Sequence, residues 1–160
     1  MKLQRLQMVL AGIWAGLLLA IGAIAAPSLF TVLDRVSAGV GAGRIFAVEA
    51  RVSLLIAIVL YVVERRRVRA LAEGGQTGSV MTGNLLLMLA ALFLTIFGQF
   101  ALHPMIEAAK AGQRTVLSFG ALHGMSATLY WVKTACVVAL AWRVTSMTSG
   151  AAGEPAAASS

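Results

Sequence analysis

The chain has 160 residues, of which 59% are hydrophobic and only 12% charged. A soluble domain of this length cannot hide so much apolar surface, so lipid is the solvent that the composition implies. Thirteen basic against six acidic residues give a net charge of +7. The basic residues collect between apolar runs with no DNA- or RNA-binding motif, which reads as a topology signal and excludes nucleic acid as the partner.

Four runs are long enough to cross a hydrocarbon core, which takes about 20 helical residues. They lie near 7–26, 44–64, 80–103 and 117–142. The first invites a rival reading, since a basic start, an apolar run and "AIAAP" mimic a cleaved secretory signal. The uncharged run from Met8 to Ala26 exceeds the roughly 7–15 residues of a signal core, so a retained span is the reading adopted. Gly12, Gly16, Ala20 and Ala23 form a small-residue stripe along it. Such a stripe permits close backbone approach and predicts a helix-packing face.

Between the first two runs, Leu29, Phe30, Leu33 and Val36 stand at helical spacing around Asp34 and Arg35. They predict a short interfacial helix, followed by a flexible link at Gly39, Gly41 and Gly43. The second run carries Glu49 and Arg51, which point to different faces and do not pair with each other. Arg51 reaches outward by snorkelling, whereas the shorter Glu49 needs a partner or water. The connection after it holds Arg65, Arg66, Arg67 and Arg69, a basic patch for anionic lipid headgroups. Together with Lys2, Arg5 and Arg143 it places both termini and this loop in the cytoplasm. The membrane is then a plasma membrane, the inner one in a bacterium.

On the third run Thr95, Gln99 and His103 repeat every four residues and line one face. On the fourth, His123, Ser126, Tyr130, Lys133 and Thr134 follow a similar stripe. Both stripes are expected inside the bundle, because a lipid-facing polar stripe is untenable. The only two histidines sit in near-repeats, Leu-His-Pro-Met at 102–105 and Leu-His-Gly-Met at 122–125. Glu49 and His123 each lie roughly 8–9 Å inside the outer ends assigned to their helices, at about 1.5 Å per residue. Glu49, Gln99, His103, Met105, His123 and Met125 are therefore expected to converge at an outward-facing mouth. Lys133, placed nearer the cytoplasmic side, is left out of that group.

Imidazole, thioether and carboxylate donors suit copper. Two histidines also suit axial ligation of a haem iron, which would make the protein a membrane oxidoreductase. Glu49 with His123 suits proton transfer. Against these stands a structural role, in which Gln99, His103, His123 and Glu49 bond one another and hold helix register. No paired-cysteine zinc spacing, phosphate loop or catalytic triad is present, and the lone Cys136 forms no intrachain disulfide.

The stretches "WAGLLLAIGAIAAPSLFTVL", "AGVGAGRIF" and "FGALHGMSATLYWVKTACVVALAWR" resemble the transmembrane protein 205-like family. The resemblance covers roughly residues 9–143 and rests on Trp14, Pro27, Phe30, Phe46 and His123-Gly124. It implies a four-helix membrane domain of unknown function. More remotely the chain is similar to copper-resistance D-type proteins and to HemJ-type protoporphyrinogen oxidases, a kinship that implies haem or copper and singles out His123.

The expected protein is all-α. Residues 1–145 form a four-helix transmembrane bundle, and a disordered tail covers 146–160. Its activity is unestablished; an outward-facing soft-metal cluster is the first functional reading, with a haem-binding oxidoreductase and a purely structural role as the alternatives. Its partners are the bilayer and anionic headgroups, and a homo-oligomer is left open.

Overall fold

A computed structural model describes residues 2–75 and 81–151. Helix α1 (Lys2–Ala20) passes through a π-helical turn (Ile21–Ala25) into α2 (Ala26–Val32), and α3 runs from Arg35 to Glu73. Helix α4 (Gly83–Phe97) passes through a second π turn (Gly98–Leu102) into α5 (His103–Lys110), and α6 covers Phe119–Ala151. No strand occurs among the described residues. Four helical stretches are long and apolar enough to span a membrane: Leu3–Val32, Arg35–Glu73, Gly83–Lys110 and Phe119–Ser146. In hydrocarbon every backbone N–H and C=O must be satisfied within the chain, and a helix does this segment by segment.

The ends have local causes. Leu33 is extended, and the Asp34 side chain accepts from the amides of Val36 and Ser37, which caps α3. Thr82 does the same for α4 through the Leu85 amide at 3.1 Å. Helices α3 and α5 stop at Gly75 (φ 78°) and Gly112 (φ 72°), left-handed positions that glycine adopts without a Cβ clash. The π turns precede Pro27 and Pro104. A proline ring collides with the carbonyl four residues back, and the wider turn removes that collision. The amides of Ala26 and His103 accordingly donate five residues back, to Ile21 and Gly98.

Helix α1 packs on α3 and α6, and α4 packs on the same two, so α3 and α6 stand on a diagonal. The core holds Trp14, Leu18, Leu60, Met88, Ala91, Val137, Leu140 and Val144. A smaller cluster of Leu102, Ile106 and Leu122 lies toward the end where the 33–34 and 111–118 connections turn. We call this the far end and the opposite one the terminus side. The outer surface is apolar, with Val9, Ile13, Ile24, Phe93, Phe100 and Trp142 all exposed, as lipid contact requires.

Four expectations change. The short helix between the first two spans exists as Ala26–Val32, but it continues the first span instead of lying as a separate element. The glycines at 39, 41 and 43 form no flexible link, because they belong to α3. There Leu29 packs on Gly41, 3.5 Å from where a Cβ would stand. Gly12, Gly16 and Ala20 are exposed, and a Cβ on either glycine would meet nothing within 4 Å. The face of α1 that packs within the chain is Ala11, Trp14, Ala15 and Leu18, since tryptophan and leucine bury more area than a glycine stripe. The first residues of the expected tail are helical up to Ala151, and 152–160 lie outside the described residues.

Candidate functional site: an ion pair between the second and fourth spans

Glu49 and Lys133 each lie fourteen residues from the start of their helices, α3 at Arg35 and α6 at Phe119. Equal rise brings them to one depth near the middle of the bundle. The Lys133 ammonium donates to both carboxylate oxygens of Glu49, at 3.0 and 2.8 Å. Their side chains are 6% and 2% exposed, so the pair is dry on both sides. This overturns the placement of Lys133 away from Glu49. That placement began α3 at residue 44, whereas the helix starts nine residues earlier, at the Asp34 cap.

The remaining valences of the pair are filled from three helices. The Ser53 hydroxyl, one turn along α3, donates to Glu49 and accepts from the Trp14 indole N–H at 2.8 Å. The Tyr130 ring, one turn before Lys133, lies 4.8 Å from the ammonium, a cation–π contact that a desolvated charge strengthens. Phe46 meets that ring edge-on with centroids 5.1 Å apart. The Tyr130 hydroxyl donates to the Leu18 carbonyl at 2.8 Å, tying α6 to α1 just before the first π turn. Gly22 makes room for the same ring, because a Cβ there would stand 2.6 Å from the Tyr130 Cε1.

A second polar layer closes the terminus side. The buried Glu64 accepts from the Gln7 amide at 2.8 Å and the Thr82 hydroxyl at 2.7 Å, with an Arg67 nitrogen 3.5 Å away. The Arg143 Nε donates to the buried Asn84 at 3.1 Å. Arg66 and Arg69 are exposed and Arg65 half-buried.

The other expected site residues lie elsewhere. His103 begins α5, half-buried, and Gln99 lies in the second π turn. Met105 and Met125 pack against the Leu102–Ile106–Leu122 cluster, where flexible thioethers fill irregular space. His123 is exposed and stacks on Phe119 with ring centroids 5.9 Å apart. Thr95 is buried and donates to the Ala91 carbonyl in its own helix, and Ser126 is half-buried. Glu49 thus leaves the expected mouth and joins Lys133. No group of three or more histidine, cysteine, aspartate or glutamate side chains that could hold a metal occurs among the described residues.

Trp14, Ser53, Gln7 and Glu64 were not singled out as functional from sequence. The equal depth of Glu49 and Lys133 did have a signal in the capping residues: Glu49 falls fifteen positions after Asp34 and Lys133 fifteen after Ser118, whose side chain accepts from the Ala121 amide.

The model of a family described as a domain of unknown function (DUF4149) matches residues 9–115. The chain belongs to this family. No curated protein and no solved structure matches it. The matched stretch holds Trp14, Glu49 and Ser53 and ends before Lys133, so both sides of the pair are seen together only in the folded chain.

Proposed function

We propose that this multi-pass membrane protein is proton-linked, with Glu49 as the group that takes up and releases the proton and Lys133 as its counter-charge. The observation that supports the reading is the pair itself: two oppositely charged side chains held by two hydrogen bonds in the middle of a lipid-embedded bundle. Ionisable groups at that depth cost several kcal/mol, at least about 2.5–3.5 each, and occur where a protein uses them. Protonating Glu49 removes the negative charge and leaves the ammonium beside a neutral acid, so the attraction between the second and fourth spans drops. The Tyr130 ring of α6 still faces the ammonium, and Ser53 of α3, itself bonded by Trp14 of α1, still faces the acid.

The orientation proposed is both termini and the 64–82 connection on the cytoplasmic side of a plasma membrane, as the arginine cluster requires. Anionic headgroups are the lipid partners of Arg66 and Arg69. The likeness to transmembrane protein 205-like proteins supports the four-helix form and brings no ligand with it. The copper and haem readings have only Met105 and Met125 on one cluster in their support, since Glu49 is paired and His123 is exposed.

Infrared difference spectra of the protein in lipid nanodiscs test the proton reading. On acidification a carbonyl stretch from a protonated carboxyl group is expected, and Glu49→Gln removes it. A wild-type spectrum in which Glu49 stays ionised throughout the range where the bundle remains folded overturns the proposal.

A further inference from the structure

The chain folds as two copies of one hairpin. A shift of 77 residues carries the first π turn, Ile21–Ala25, onto the second, Gly98–Leu102, and Pro27 onto Pro104. The same shift carries buried Gln7, Ala11, Trp14 and Leu18 onto buried Asn84, Met88, Ala91 and Thr95. Past the far-end turn, where the second hairpin has seven more residues, a shift of 84 continues the correspondence. It carries buried Ala38, Glu49, Ala50, Ser53 and Leu60 onto buried Leu122, Lys133, Thr134, Val137 and Val144. Each hairpin runs out through a π turn and a proline and returns as a long helix, so the two are related by a pseudo-two-fold axis along the bundle. Repeats of this parallel kind place their working groups at mid-depth on the repeat interface.

The two contacts at mid-depth are then contacts across the axis. Glu49 meets Lys133, and Phe46 meets Tyr130, each being a residue and its own counterpart in the other hairpin. Two like charges at 49 and 133 would repel. Opposite charges turn the same juxtaposition into an attraction.

The hairpins are not equally joined along their length. On the terminus side of the π turns α1 packs on α6 and α3 on α4, which is close contact between hairpins. Beyond the π turns α2 packs along α3 and α5 along α6, which is contact within each hairpin. A π turn interrupts the regular ladder and is a recognised place for a helix to bend. The last strong bonds between hairpins before the far end are Lys133 to Glu49 and the Tyr130 hydroxyl to Leu18.

We infer that the far-end halves of the two hairpins form a pair of arms, latched by the Glu49–Lys133 pair, which part by rotation at the two π turns together with a gentle bend of the unbroken α3 and α6. Breaking the latch parts the arms and opens the seam at Phe46, Glu49, Tyr130 and Lys133 toward the far side, while the terminus side stays closed. The inference rests on the reading of Glu49–Lys133 as a working pair. It does not depend on the proton being what breaks it.

Spin labels on cysteines at Val32 and Glu107, in a Cys136→Ser background in nanodiscs, read the far-end separation. Labels at Leu6 and Leu86 read the terminus side. In Glu49→Gln the far-end distance is expected to lengthen by about 5 Å, the scale of a one-turn displacement, with the terminus-side distance unchanged. The charge-swapped Glu49→Lys/Lys133→Glu double variant is expected to return the far-end distance to its wild-type value, because the two positions are equivalent. Should the single variant fail to fold, Glu49→Gln/Lys133→Gln strands no charge and is expected to show the same lengthening. An unchanged far-end distance without the charges, a change at both ends, or a swapped pair that stays open each overturns the inference. Opening in Glu49→Gln alongside a wild-type Glu49 that never protonates retains the latch and removes the proton-linked function.

Discussion

A lysine and a glutamate in hydrocarbon are each costly alone, and their value depends on the other. Lys133→Met leaves Glu49 buried without its counter-charge, with Ser53 still donating to it, which is expected to cost about 3–5 kcal/mol of stability, as truncation of one partner of a buried pair does. Glu49→Gln/Lys133→Met removes both charges and is expected to recover most of that loss. Thermal unfolding of the variants in mild detergent checks the order: single well below wild type, double close to it. Asp34 behaves differently, because it is exposed and its role is local. The Ser37 side chain, and then the Ser37 backbone amide, hold its carboxyl below the ordinary value of 3.8. A lowered folded value means that the contribution is complete above the unfolded value and disappears as the pH falls through the folded one. Protection of the Val36 and Ser37 amides, taken relative to the free-peptide exchange rate at the same pH, is therefore expected to fall below about pH 4, and Asp34→Ala is expected to remove that pH dependence.

Two glycines show how a helix end is fitted to its neighbour. Gly22 in the first π turn faces the Tyr130 ring, and an added Cβ would stand 2.6 Å from a ring carbon that cannot withdraw. Gly22→Ala is expected to cost about 1–3 kcal/mol, the usual range for overpacking. Gly83 opens α4 against Arg143, where the Cβ would meet a guanidinium nitrogen at 2.7 Å. That group ends a flexible side chain and yields more easily than a ring, at the expense of strain on its bond to Asn84, so Gly83→Ala is expected to cost about 1 kcal/mol, less than Gly22→Ala. Denaturation midpoints of the two variants, measured side by side, check the contrast. A shift for Gly83→Ala as large as that for Gly22→Ala contradicts the difference in rigidity on which it rests.

The whole molecule is a bundle whose charges are layered. One pair lies at mid-depth, a second polar layer of Gln7, Glu64, Thr82, Asn84 and Arg143 closes the terminus side, and the arginines of 65–69 stand at its edge. In the orientation proposed above, cysteines at Ser37 and Gln113 are expected to label from outside intact cells, and one at Arg66 only after permeabilisation. Labelling of Ser37 and Arg66 from the same side contradicts the four crossings.

Four spans, helical class and the basic connection could be read directly from the sequence, because a 20-residue apolar run has one stable conformation in lipid and arginines resist crossing it. Only the deeper part of the stripe on the fourth span was legible, since Lys133 and Thr134 are buried whereas His123 at its start is exposed. Tertiary structure alone decided which polar groups meet. Depth along a helix depends on where the helix starts, and a start misplaced by nine residues shifts a side chain by about 13 Å. That error sent Glu49 toward the histidines and away from Lys133. The pairing of the two hairpins likewise escapes a one-dimensional reading, for their common feature is a pattern of burial, and burial exists only once the helices have packed.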